Sequence, residues 1–164
     1  MSAYHHPVRV WAAAASLLVL AACSSPEVAC TEIGSPAGVG VTVVAPYAAQ
    51  VDGVRLEVCW SGPCTEDTVE LSPGSDTVDQ GCSGSDPDDT CSATAVPNGT
   101  QVGFLPVPGL PAGEVRVSGT VTVAGRAVAL AEVTRSAATT YPNGPQCEPG
   151  GNQLAITIDQ TGIQ

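Results

Sequence analysis

Lysine is absent from this 164-residue chain, whose five cationic side chains are all arginine. Histidine is confined to His5 and His6, and aromatic residues make up only 4% of the total. Each scarcity excludes chemistry. Without imidazole beyond residue 6, the rest of the chain cannot build a serine–histidine or cysteine–histidine pair. Without lysine it has no Schiff-base amine. Carboxylate pairs remain, but the aromatic platforms of a sugar-cleaving cleft are reduced to Tyr47, Trp60, Phe104 and Tyr141. No enzyme is expected. The apolar run at residues 10–20, VWAAAASLLVL, is shorter than the ~20 residues that cross a bilayer as a helix.

That run has another use. It follows a short polar start carrying Arg9 and leads into Leu20-Ala21-Ala22-Cys23. A charged start, a short apolar stretch and small residues form the layout of a secretory signal peptide. The final four residues resemble the lipobox of bacterial lipoproteins, cut by signal peptidase II. The resemblance implies that residues 1–22 are removed, and that Cys23 becomes the first residue and carries a diacylglyceryl group. Two acyl chains hold a protein at a bilayer where one binds marginally, because each buried methylene contributes about 0.8 kcal/mol. The implied location is the outer face of a bacterial cell membrane. The rival reading is an ordinary export signal with an incidental cysteine. Arginine without lysine, together with abundant Ala, Val and Gly, suggests a GC-rich actinobacterial source.

From Cys23 onward, four arginines stand against sixteen carboxylates, a net charge of −12. Such acidity excludes a phosphate-binding surface and hence a nucleic-acid partner. It also suits a soluble, weakly adhesive surface. Outside the cytoplasm thiols oxidise. Setting Cys23 aside turns seven cysteines into six: Cys30, Cys59, Cys64, Cys82, Cys91 and Cys147. Six cysteines allow fifteen connectivities. Neither histidines nor two-residue cysteine spacings support zinc. The expected bridges are Cys59–Cys64, around a Gly62-Pro63 turn, Cys82–Cys91, flanking SGSDPDDT, and Cys30–Cys147. Crossed pairs of Cys64 with Cys82 or Cys91 are the alternative.

Residues 23–38 read as the lipidated N-terminus and tether, and 39–164 as one domain. Period-two apolar runs mark half-buried strands. They occur at 38–45 (Val39, Val41, Val43), 54–60 (Val54, Leu56, Val58, Trp60 inward, Cys59 outward), 68–71, 101–107, 114–123, 127–134 and 154–158. Ala124-Gly125-Arg126 is a tight turn. Pro106 and Pro108 place the 101–107 strand at an edge. Residues 72–98 are rich in Ser, Gly, Asp and Pro, with two cysteines and no strand run, and 136–153 read as a long loop. The expected fold is all-β, a single antiparallel β-sandwich of seven to eight short strands of immunoglobulin-like character, preceded by a signal-peptide helix. The segment VRVSGTVTVAGRAVALAEVT resembles the opening of carboxypeptidase-regulatory-like or transthyretin-like sandwiches. The whole mature chain resembles small actinobacterial lipoproteins, a likeness that implies no biochemical activity.

Two loops are candidate sites. Asp86, Asp88 and Asp89 offer oxygens to Ca²⁺, but lack the EF-hand order; the alternative is a solvated acidic loop. Tyr141 and Asn143, in YPNGP, would suit recognition, the alternative being that Tyr141 packs on the sandwich. Asn98-Gly99-Thr100 matches a glycosylation sequon and reads more simply as a turn. No cofactor is expected. The function anticipated is that of a lipid-anchored envelope protein binding another protein or a glycan. The alternatives are a structural accessory of an envelope complex and a calcium-binding module.

Overall fold

A computed structural model describes residues 29–62 and 64–164. The chain divides into a first unit, Met1–Thr31, and a second, Glu32–Gln164, which is the subject below. The signal peptide and Cys23 lie outside the described residues. Among the described residues no helix is long and apolar enough to cross a membrane.

The second unit is all-β, with strands β1 (Gly38–Val43), β2 (Val51–Cys59), β3 (Cys64–Val69), β4 (Leu71–Cys82), β5 (Cys91–Pro106), β6 (Gly113–Val123), β7 (Arg126–Thr139), β8 (Asn152–Asp159) and β9 (Gly162–Ile163). A single 3-10 turn, Tyr47–Gln50, precedes β2. The strand order is β3-β2-β6-β7-β8-β1-β5-β4, with β9 on β8. β7 joins the two layers of a sandwich-like sheet. Arg126 to Ala137 pair with β6, whereas Ala138 and Thr139 pair with β8. The sheet does not close, but its two end strands are consecutive in sequence, separated by Glu70 alone. At that corner, Val69 and the Glu70 carbonyl press so closely on Gly103 that a Cβ there would collide with them.

Alternation explains which faces turn inward. Val39, Val41 and Val43 of β1 are buried opposite Leu154, Ile156 and Ile158 of β8. Val54, Leu56 and Val58 of β2 lie against Val121, Gly119 and Val117 of β6. Among the described residues the largest fully buried side chains are all Val, Leu or Ile, and none of the buried side chains is polar or charged. The core is therefore sealed by hydrophobic burial alone. Ala124 (φ 49°) and Gly125 (φ 74°) form the two-residue turn between β6 and β7, with both central residues left-handed as a type I′ hairpin requires.

Several expectations need revision. The segment 72–98 is not without strands, because most of it belongs to β4 and to the first half of β5. Its side chains are exposed on both faces, so no alternation marks it. β5 is not an edge strand: it lies between β1 and β4, with Pro106 at its very end opposite Gly38. Asn98-Gly99-Thr100 is not a hairpin turn but an irregularity inside β5. Among the described residues there are nine strands, and β4, β5 and β7 run 12, 16 and 14 residues. The β1–β8 ladder is parallel, within an otherwise antiparallel set among the described residues. Cys59 was expected to face outward, yet it is only 5% exposed.

The N-terminal tether is also shorter than 23–38. Asn143 donates to the Ile33 carbonyl (3.1 Å), Gly151 N–H to the Ser35 carbonyl (2.7 Å) and Gln153 to the Pro36 carbonyl (2.8 Å). These bonds fasten residues 33–36 to the long loop before β8 and to β8 itself.

Candidate interaction surface

One element leaves the sandwich. Beyond Gln101, β5 has no β1 residue opposite it, since the β1 ladder ends at Val43–Gln101. The strand continues paired with β4 alone, from Ser75–Pro97 to Cys82–Cys91. This two-stranded arm is ~25 Å long at the usual rise per residue. Its root is a designed bend. Gly99 is left-handed (φ 77°), and Asn98 Oδ1 accepts from both the N–H (3.1 Å) and the hydroxyl (2.8 Å) of Thr100. Gly74 lies against that pair, and a Cβ at Gly74 would strike Thr100 Oγ1. Asn98 also donates to Asp76 Oδ1 (2.8 Å), locking the bend onto β4.

The tip is closed by the Cys82–Cys91 disulfide, between residues directly opposite in the ladder, with Cα atoms 3.9 Å apart. Beyond it, Asp89 folds back: its Oδ2 accepts from Asp86 N–H (2.7 Å), while its own N–H donates to the Asp86 carbonyl (3.0 Å). Asp89 therefore serves as a turn cap. Asp86, Asp88 and Asp89 do not bring three carboxylate oxygens within a metal's reach. Among the described residues, the one such group of acidic and cysteine side chains is Glu57, Cys59 and Cys64. There the two sulfurs are bonded to each other as a cross-strand bridge between β2 and β3, with Cα atoms 4.1 Å apart. They have no thiolate to give a metal. Cys30 and Cys147 are each in a disulfide too.

Two apolar side chains lie on one face of the arm. Val78 opposes Thr94 and Asp76 opposes Val96, so Val78 and Val96 are diagonal neighbours, 43% and 44% exposed. Charge is distributed unevenly. Residues 71–106 hold Asp76, Asp79, Asp86, Asp88 and Asp89 and no arginine. The domain's four arginines lie on β2, β6 and β7. Arg55 pairs with Glu66 across β2 and β3 (2.6 Å), and Arg116 with Glu132 across β6 and β7 (3.1 Å). The Arg55 hydrogen bond and its charge hold the Glu66 carboxyl below its ordinary value. Asp159, at the β8–β9 turn, is lowered by hydrogen bonds from the Thr161 hydroxyl and N–H, and by Gly162 N–H.

The other expected recognition residues divide. Tyr141 is half exposed, whereas the Asn143 amide is used to hold Ile33. Tyr47 is buried, and Phe104 leans over Gly38. Shallow grooves also mark the described surface. One, ~360 Å³, is lined by residues that include Asp52, Thr68, Leu71 and Gln101, and another, ~420 Å³, by Tyr47 and Asp159 among others. Gln101 in the first already donates to the Ala48 carbonyl (2.9 Å), and Asp52 accepts from Gly125 N–H (3.0 Å).

The sequence reading missed the arm. Its signals were a cysteine pair nine residues apart around a Gly- and Asp-rich tip, flanked by strand-forming Thr77, Val78, Thr94 and Val96. The fold and surface thus define a sandwich-like all-β protein with a projecting, disulfide-tipped β-arm. No family model matches the chain, and neither does any curated protein or solved structure.

Proposed function

We propose that the protein is a non-catalytic, lipid-anchored module of a bacterial cell envelope that binds a protein partner through the β4–β5 arm. The arm carries this reading. It contributes nothing from its outer two thirds to the core, yet it is stapled at its tip and bent deliberately at its root. A surface element that buries so little and is held so firmly is built to be presented. The lipobox supports the anchor, and the absence of histidine and lysine after residue 6 supports a non-catalytic role.

The test is made in cells. Cys23→Ser should move the protein from the membrane to the soluble fraction; unchanged fractionation defeats the anchor. A photo-crosslinking amino acid at Val78 should capture a defined neighbour, while the same group at Val128, an equally exposed position on β7, should not. Equal capture at both positions, or at neither, defeats the role of the arm.

A further inference from the structure

The arm has two outer edges, and they differ. Along β4, an extra residue, Gln80, breaks the register between Asp79 and Gly81, and the stretch before it carries Asp76 and Asp79. Bulges and charges of this kind are how sheet edges are blunted against unwanted pairing. On β5 the irregularity, Asn98 to Thr100, and Pro97 lie toward the root, and the edge from Ser92 to Val96 has neither bulge nor charge. From Ser92 to Val96 it reads Ser-Ala-Thr-Ala-Val, without charge or proline, in unbroken register with β4 from Ala93 to Val96. No strand among the described residues pairs with it on that side. It presents a row of backbone donors and acceptors long enough for a five-residue ladder.

From this difference we infer that residues 92–96 are a β-addition site that accepts an extended, lysine- or arginine-bearing segment of another polypeptide as a third strand of the arm. The inference rests on the reading of the arm as the binding element, and adds the partner's chemistry and mode. Backbone ladders supply affinity in such pairing, and side chains select the partner. Charge makes the selection here. A strand added beside β5 lies ~10 Å from β4, two strand spacings away. That is within the ~14 Å screening length at 50 mM salt and well beyond the ~6 Å at 300 mM, so Asp76 and Asp79 act on it at low salt and are screened at high salt. Two arms pairing edge to edge would instead bring two sets of five aspartates together, which disfavours a second copy. The chain's own tether, Ser24 to Ala29, carries Glu27 and no cation, which disfavours it as well.

The test uses the purified full chain and a fluorescent nine-residue peptide alternating valine and lysine, with blocked ends. Its controls are the aspartate-for-lysine peptide and the lysine peptide methylated on every backbone nitrogen. Affinity is read by anisotropy at 50 and 300 mM salt, and the bound edge by amide hydrogen exchange. The inference predicts that the lysine peptide protects amides within 92–96 and binds at least tenfold more tightly than either control. Asp76→Asn with Asp79→Asn should weaken it severalfold while β1 and β8 keep their protection. Equal binding of the methylated peptide would overturn the inference, because charge alone would then suffice. So would protection along β4 instead of 92–96, or self-association of the chain without peptide binding. If peptide pairing fails while the Val78 crosslink persists, the arm remains the binding element and only the strand-addition mode is lost.

Discussion

Two local disulfides of similar size should have opposite consequences when removed. Cys82–Cys91 closes a loop of ten residues and Cys59–Cys64 one of six, by their sequence separations of 9 and 5. The loop-closure relation assigns them about 3 and about 2 kcal/mol. The larger one belongs to the arm, whose outer residues bury nothing in the core. Its loss should open the arm locally and leave the sandwich intact. Cys82→Ser with Cys91→Ser should then speed amide exchange at 92–96 by roughly a hundredfold, while the melting temperature of the sandwich stays within a degree or two. The smaller one ties β2 to β3, beside buried Leu56 and Val58. Cys59→Ser with Cys64→Ser should lower the melting temperature by roughly 5–10 °C. Calorimetry and hydrogen exchange on both double variants decide the matter. An equal fall in melting temperature for the two would refute the separation of arm from core.

Other tests address the sandwich. Leu56, fully buried in the centre of β2, should lose about 2–5 kcal/mol on Leu56→Ala, seen as a reduced midpoint in urea with little change in slope. Ala124 holds a left-handed φ that costs most L-residues about 1–2 kcal/mol but that Asn offsets with local side-chain hydrogen bonds, so Ala124→Asn should raise the melting temperature. Glu66 and Asp159 have carboxyls held below their ordinary values by Arg55 and by Thr161. The stability they confer is complete above the unfolded carboxylate range and is lost as pH falls through the lowered values. Asp159→Asn should therefore flatten part of the acid limb of a stability–pH profile without changing its shape above pH 6.

Strands with one buried face were legible because their side chains alternate. Val39/Val41/Val43, Val54/Leu56/Val58 and Val115/Val117/Val121 all point inward as the pattern predicts. The Ala124-Gly125 turn was legible too, since Gly after a small residue between two alternating runs marks a hairpin. The arm was not, because a ribbon with water on both faces is under no pressure to alternate. Ser, Asp, Gly and Pro, the residues of loops, are equally at home there. The position of β5 was misread because Pro106 speaks only for the end of the strand, while Gln101 to Gly103 pair on both sides. Of the candidate sites, Asp89 and Asn143 could each be identified as polar loop residues from sequence. Only the fold shows that their side chains are engaged with the backbone of Asp86 and Ile33.

The most direct test of the account removes the arm. Residues 75–97 are replaced by Asn-Gly in the anchored protein, and the chain is compared with the intact one by thermal unfolding and by crosslinking in cells through a probe at Gln101, next to the arm's root. The account predicts a sandwich that melts within a few degrees of the original and no longer captures its partner. A protein that keeps its partner without the arm, or a sandwich that cannot fold without it, would contradict the account.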